Sequence, residues 1–141
     1  MINKIKELAD RIFDNIVSIR RDLHKNPELS FQEYKTSAYI KSVLTSWDIP
    51  FNEGIADTGI VVLLEGVNPS LKVLALRADF DALPIIEEND LEYCSQNIGV
   101  MHACGHDVHT ASMLGAGIIL NELSDYLEHS DSALWADRLA A

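Results

Sequence analysis

The residues most in need of a chemical explanation are His102-Ala103-Cys104-Gly105-His106-Asp107-Val108-His109, where three of the chain's five histidines and one of its two cysteines fall within eight positions. Thiolates and imidazoles are the donors that Zn²⁺ and its borderline neighbours prefer. Gly105 lets the backbone turn between Cys104 and His106, so that both side chains can reach one ion from either side of a clamp. His109 follows His106 by three residues, on the same side of a helix that should start here, and is a third ligand or a partner that orients one. The competing reading is a capped helix start whose histidines bond only backbone groups.

A second candidate pair is Asp79 and Asp81, in Arg77-Ala78-Asp79-Phe80-Asp81-Ala82-Leu83-Pro84. Two residues apart on an extended segment, both carboxylates face one side. They can orient a ligand histidine, bind a metal directly or tune a metal-bound water. A salt bridge to Arg77, or a turn before Pro84, would account for them equally well. Glu87-Glu88 reads as a solvated charge run beside Asn89-Asp90, and His24 and His129 lie in polar surroundings that suggest no role. There is no H-E-x-x-H, no G-x-S-x-G, no G-x-x-x-x-G-K and no H-x-E with P-C-x-x-C, which removes zincin, serine hydrolase, P-loop and nucleobase deaminase chemistry.

Positioning these groups requires a frame, and the apolar spacing supplies one. Ile5, Leu8, Ile12, Ile16, Ile19 and Leu23 recur at helical intervals over Ile2 to His24, and Asn26-Pro27 ends that helix. Ser30-Phe31-Gln32-Glu33 has the form of a capping box opening a second helix, with Tyr34, Ala38, Ile40, Val43, Leu44 and Trp47 on its buried side and Pro50 after it. Two apolar runs, Ile60 to Glu65 and Leu71 to Arg77, flank the turn formers Gly66 to Ser70 and read as a hairpin. Neither run alternates, so each strand should be covered on both faces. Asp79 and Asp81 then fall at a strand end, where α/β sheets gather their ligands. A last helix should begin near Asp107 or Val108, with a stretch from Ala111 to Leu120 apolar nearly all round and packed closely on the sheet. Ser124 to Ala141 changes character and is expected to form an extra helix or a loose tail.

With 141 residues, 48% apolar and 23% charged, the chain has the composition of one soluble globular domain able to bury a core. Its net charge of −11 is unevenly spread: six of the 11 basic residues lie between Lys4 and Lys25, and none lies between Ala78 and Asp137. That stretch carries twelve Asp and Glu, which excludes nucleic-acid binding as the main task and favours a cationic partner. No apolar run approaches the roughly 20 residues of a membrane span, and the charged start is no secretory signal, so no membrane partner and a cytoplasmic location are expected. Two cysteines make no disulfide framework; Cys94 reads as a small apolar filler.

Three blocks, Arg20-Arg21-Asp22-Leu23-His24 with Pro27-Glu28-Leu29-Ser30-Phe31, then Arg77 to Ile85, then Met101 to Thr110, occur in the order found in a known family. The chain from the first helix to about Leu123 resembles the metallo-amidohydrolases that include hippurate hydrolase, N-acyl-amino-acid amidohydrolases and plant auxin-conjugate hydrolases, within the aminoacylase-like zinc peptidase clan. The resemblance implies an α/β fold: part of a three-layer sandwich with helices on both faces of a sheet, as in the catalytic domain of zinc exopeptidases. It implies residues 1–123 as the amino-terminal part of that domain and 124–141 as an atypical tail. It implies hydrolysis of the amide of a small N-acyl amino acid at a two-metal site holding Zn or Mn, with Ni or Co as alternatives.

By the same resemblance Cys104 and His106 are metal ligands, Asp81 is the aspartate that supports the metals, and Asp79 stands where related peptidases place a histidine ligand. Family members also carry a glutamate pair soon after the helix that follows the Cys-Gly-His block, then further histidines and a dimerisation domain. None of these is present in the 141 residues, and Glu87-Glu88 precedes the block and cannot replace the pair. The expectation is therefore a truncated or frame-shifted product with half a metal site and little catalysis alone. The alternatives are a non-catalytic metal-binding or interaction module, or an assembly in which a second copy, as a homodimer, or a separate polypeptide supplies the missing ligands.

Overall fold

The computed structural model describes residues 1–67, 73–127 and 130–133. Helix α1 (Ile2–Lys25) follows the apolar spacing: Leu8, Ile12, Ile19 and Leu23 are buried, while Ile5 near the start is exposed. Asn26 caps it and Pro27 cannot continue it. Helix α2 (Tyr34–Ser46) starts later than a capping box would place it. The Ser30 hydroxyl donates to Asp81 rather than accepting a helix N–H, and the Glu33 carboxylate reaches back to accept the Phe31 N–H at 2.8 Å. Tyr34 and Ala38 are consequently exposed, and the buried side of α2 is Thr36, Ser37, Ile40, Val43 and Leu44. The helix closes in a Schellman turn, with Asp48 N–H on the Thr45 carbonyl at 3.1 Å and Ile49 N–H on the Leu44 carbonyl at 3.0 Å.

The strand pairing differs from the expected hairpin. Strand β1 (Phe51–Ile55), which the apolar pattern did not mark because four of its five residues are exposed, pairs antiparallel with β2 (Gly59–Val62). Phe51 faces Val62 and Ile55 faces Gly59, with a bulge between Glu53 and Ile55. The connection turns through Ala56 and Asp57 at φ 49 and 76, and Gly59 is required because a Cβ there would collide with the Ile55 carbonyl oxygen. Strand β3 (Val73–Leu76) pairs instead in parallel with β4 (Ser130–Ala133), Val73 opposite Ser130 and Leu76 opposite Ala133. A strand thus stands at 130–133, where a helix or loose tail was expected; residues 134–141, like 68–72, where the turn between the two apolar runs was expected, and His129, lie outside the described residues. Ile60 and Val62, on one face of β2, are buried while Val61 on the other is half-buried, and Leu74 and Ala75 of β3 are exposed, so the expected cover on both faces is not complete.

Helix α3 (His106–Glu122) begins one residue before the expected start. Thr110, Ala111, Leu114, Gly115 and Ile118 are buried on it, and it packs chiefly along α1 rather than on a sheet. Gly115 permits this approach, since a Cβ there would stand 3.3 Å from the Ile16 side chain. One continuous core joins Ile12, Ile19 and Leu23 of α1, Ile40 and Leu44 of α2, Ile60 and Val62 of β2, Phe80, and Leu114 and Ile118 of α3. The architecture is α/β, and its packed interior leaves one end, where the segment after β3 meets the start of α3, lined by charged groups. No helix among the described residues is long and apolar enough to cross a membrane.

Candidate metal centre

After β3 the chain stays extended, with burial alternating residue by residue. Ala78, Phe80 and Ala82 point into the core, at 3%, 1% and 4% exposure, so Asp79 and Asp81 share the opposite, half-buried side. The segment is fixed at its far end by an antiparallel bridge between Leu83 and Met101, with both N–H groups engaged at 3.0 and 2.9 Å. That bridge brings the loop carrying Cys104 alongside. Gly105 then adopts φ 82, a left-handed conformation open to glycine, and its carbonyl accepts the Val108 and His109 N–H groups. The Thr110 hydroxyl donates to the Asp79 carbonyl at 2.9 Å and pins α3 to the strand end.

Three of the expected site residues converge: one donor atom each from Asp79, His106 and His109 lie within 4.8 Å of one another. The His106 and His109 rings lie 5.7 Å apart and tilted by 30°. His106 Nδ1 is 2.8 Å from Asp81 Oδ1 and 3.0 Å from the Asp81 carbonyl oxygen. Both of these partners only accept when the carboxyl is ionised, so Nδ1 carries the proton and Nε2 presents its lone pair. This is the arrangement in which a histidine binds a metal through the far nitrogen. Burial works against charge on Asp81, but the Ser30 hydroxyl at 2.6 Å and His106 outweigh it and hold the carboxyl below the ordinary aspartate range. Asp79 also meets Arg77 at 3.3 Å, so the salt bridge weighed from sequence is present beside the cluster. The Cys104 thiol is exposed and lies outside the three-residue group.

Behind this cluster is a second polar network that the sequence reading missed. His24 is 4% exposed, with Nδ1 at 2.7 Å from Asp107 and Nε2 at 3.0 Å from Glu87. Asp107 is buried at the first turn of α3, where its charge suits the helix dipole, and its carboxylate also meets Arg20 at 3.0 Å. Glu87 is therefore no solvated residue, unlike its exposed neighbour Glu88. Its burial opposes ionisation, yet the Ser95 N–H at 2.6 Å, His24 and Asn89 bring its carboxyl down to about 2. Cys94 corrects another expectation: its thiol donates to the Asn89 carbonyl and accepts the Leu91 N–H, so it fixes a loop rather than filling a core. His102 is 5% exposed with neither ring nitrogen hydrogen-bonded among the described residues, and burial pushes its imidazole down to about 4. No local signal marks His24, whose partners lie 83 and 63 residues away.

Known proteins resemble this chain in sequence and fold. The pattern of Peptidase family M20/M25/M40 matches residues 75–134, which contain all of the clustered donors. An N-acyl-L-amino acid amidohydrolase of Geobacillus stearothermophilus is 46% identical over 122 residues, 86% of this chain and 33% of that protein. Thermostable carboxypeptidase 2 of Saccharolobus solfataricus is 43% identical over 128 residues, 90% of this chain and 32% of that protein. The crystal structure of the Bacillus subtilis YXEP protein, described as a dinuclear metal-binding peptidase of the M20 family, superposes with a TM-score of 0.84 at 38% identity, covering 89% of this chain and 35% of that one. The chain spans about a third of the length of the relatives it matches. The family pattern over residues 75–134, the sequence identity and the shared fold together make this chain similar to Peptidase family M20/M25/M40 along the third of those proteins that it matches.

Proposed function

We propose that the chain contributes part of a divalent-metal site used to hydrolyse the amide bond of N-acyl amino acids, with Asp79, His106 and His109 as ligands, Cys104 as a further ligand from the exposed side, and Asp81 as the group that orients His106. The observation that carries this reading is the convergence of the three donors around a histidine whose Nδ1 is already committed to Asp81. The donor set suits the ion: imidazole and carboxylate with a nearby thiol match Zn²⁺, and the oxygen-bearing part also suits Mn²⁺. A metal bound here would acidify a water and polarise the amide oxygen. The protein's share is to hold the ligands, to keep the Nε2 lone pair of His106 free and to separate the donors from the core through Phe80 and Ala82. Proton transfer from the water needs a carboxylate base. Glu87 does not fill that role, because its oxygens are engaged by His24, Ser95 and Asn89.

The reading is tested by equilibrium dialysis of the purified 141-residue chain against Zn²⁺ and Mn²⁺ with metal analysis, followed by Co²⁺ substitution. Bound metal that falls on His106→Ala and on Asp79→Asn is expected. Cys104→Ser should lower it and abolish a thiolate-to-cobalt charge-transfer band. N-acetyl-amino-acid hydrolysis by this chain alone should be undetectable. Metal binding that ignores all three substitutions refutes the site, and robust turnover by the pure chain refutes the expectation that this chain alone is inactive.

A further inference from the structure

The Pro27-Glu28-Leu29-Ser30-Phe31 block has so far been given no function, yet the structure fixes it firmly. The Ala82 N–H donates to the Glu28 carbonyl at 2.7 Å, and Leu29 forms a parallel bridge with Ala82, so the block is laid against the residue that follows Asp81. The Glu28 carboxylate takes both the N–H and the hydroxyl of Thr36, at 2.8 and 2.9 Å, tying the block to α2. Phe31 is held at φ 66 with 63% of its surface exposed, and its N–H is captured by the fully buried Glu33, which also meets the Thr58 hydroxyl. A bulky residue at positive φ persists only when its surroundings enforce it. The product of these constraints is one contact across 51 residues: Ser30 Oγ on Asp81 Oδ2 at 2.6 Å.

From this we infer that Ser30 is a positioning residue for the metal centre, acting through Asp81 on His106. Asp81 uses one oxygen for His106 Nδ1, and rotation about its terminal torsion would remove that oxygen from the ring. The Ser30 hydroxyl, donating to the other oxygen, fixes the carboxylate plane, so the Ser30–Asp81–His106 chain holds the imidazole with Nε2 directed at the ion. The block at Pro27 to Glu33 is in this view a bracket that carries one hydroxyl to the strand end. The inference rests on His106 being a ligand, but its mechanical part can be examined with no metal present.

The test compares wild type, Ser30→Ala, Ser30→Thr, Asp81→Ala and the Ser30→Ala/Asp81→Ala pair by two readouts. Long-range ¹H–¹⁵N spectra of the metal-free chain at one pH report the His106 tautomer. Wild type and Ser30→Thr should show the proton on Nδ1, and Ser30→Ala should show an increased share on Nε2. Competition against a chromophoric chelator reports the Zn²⁺ dissociation constant. Ser30→Ala should weaken it by about tenfold, the low end for groups that support ligands, and Ser30→Thr should restore it to within about twofold. In the Asp81→Ala background Ser30→Ala should change nothing further. An unchanged tautomer and an unchanged constant in Ser30→Ala overturn the inference, as does an equal loss with and without Asp81. Absence of Zn²⁺ binding by wild type would refute the metal site, leaving the tautomer comparison to decide on Ser30.

Discussion

Replacing Asp81 by asparagine isolates charge from shape at the centre. Asparagine keeps an oxygen able to accept from His106 Nδ1, and its amide can face the Ser30 hydroxyl, which then turns its own proton away. What disappears is the negative charge behind the imidazole. Hydrogen bonds to charged partners contribute about 1.5–3 kcal/mol against about 0.5–1.5 kcal/mol for neutral ones, so the difference is roughly 1 to 1.5 kcal/mol. The Asp81 main-chain carbonyl, at 3.0 Å from the same nitrogen, survives the change and keeps the ring in place, which favours the lower figure. At about 1.4 kcal/mol per decade, the Zn²⁺ dissociation constant should rise about fivefold. The measurement is chelator competition at constant pH and salt, with His106→Ala as the reference for a lost ligand. An asparagine variant that binds like wild type would show that the carboxylate charge is irrelevant. One that loses as much as His106→Ala would show that Asp81 is itself a ligand, and the orienting role assigned to it would be wrong.

Glu87→Gln should make stability less dependent on acid: the native carboxyl is brought down to about 2 against an ordinary 4.5, so its stabilisation is complete above 4.5 and is lost as the pH falls from there toward 2, which urea denaturation over that range will show as a steeper loss in wild type than in the variant. Asp48→Gly should raise stability by about 0.5–1 kcal/mol, because Asp48 sits exposed at φ 53 in the Schellman turn closing α2; a loss in the same assay would mean that its side chain has a role there. Leu114→Ala should cost about 2–5 kcal/mol by thermal or chemical unfolding, since Leu114 is fully buried between helices, and a cost below about 1 kcal/mol would contradict that packing.

What could be read from sequence, and what could not, follows the range of the forces involved. The bounds of α1 and α3 were legible to within a residue or two because helical burial repeats every three to four positions along one segment. Strand partners were not, since pairing joins residues that no local pattern connects: Phe51 meets Val62, and Val73 meets Ser130. β1 in particular, FNEGI with four exposed residues, carries no apolar alternation to detect. The same divide runs through the site. His106 and His109 share a helix turn and Asp79 and Asp81 share one side of an extended segment, so residue types and spacing were sufficient to nominate them. Ser30 and His24 act on groups 51 and 83 residues away, and Ser30 even carried a plausible local explanation, the capping box, that the structure replaces. A serine three residues before a buried glutamate satisfies two schemes at once, a helix cap or a tether to a distant carboxylate. The tether prevails here because Glu28 and Leu29 are already held against Ala82, which places the Ser30 hydroxyl at Asp81 rather than over the first turn of α2. It follows that Ser30→Ala should leave the start of α2 intact, with the amide exchange of Ser37 and Ala38 unchanged, while the His106 ring responds; faster exchange confined to that first turn would restore the cap and remove the tether.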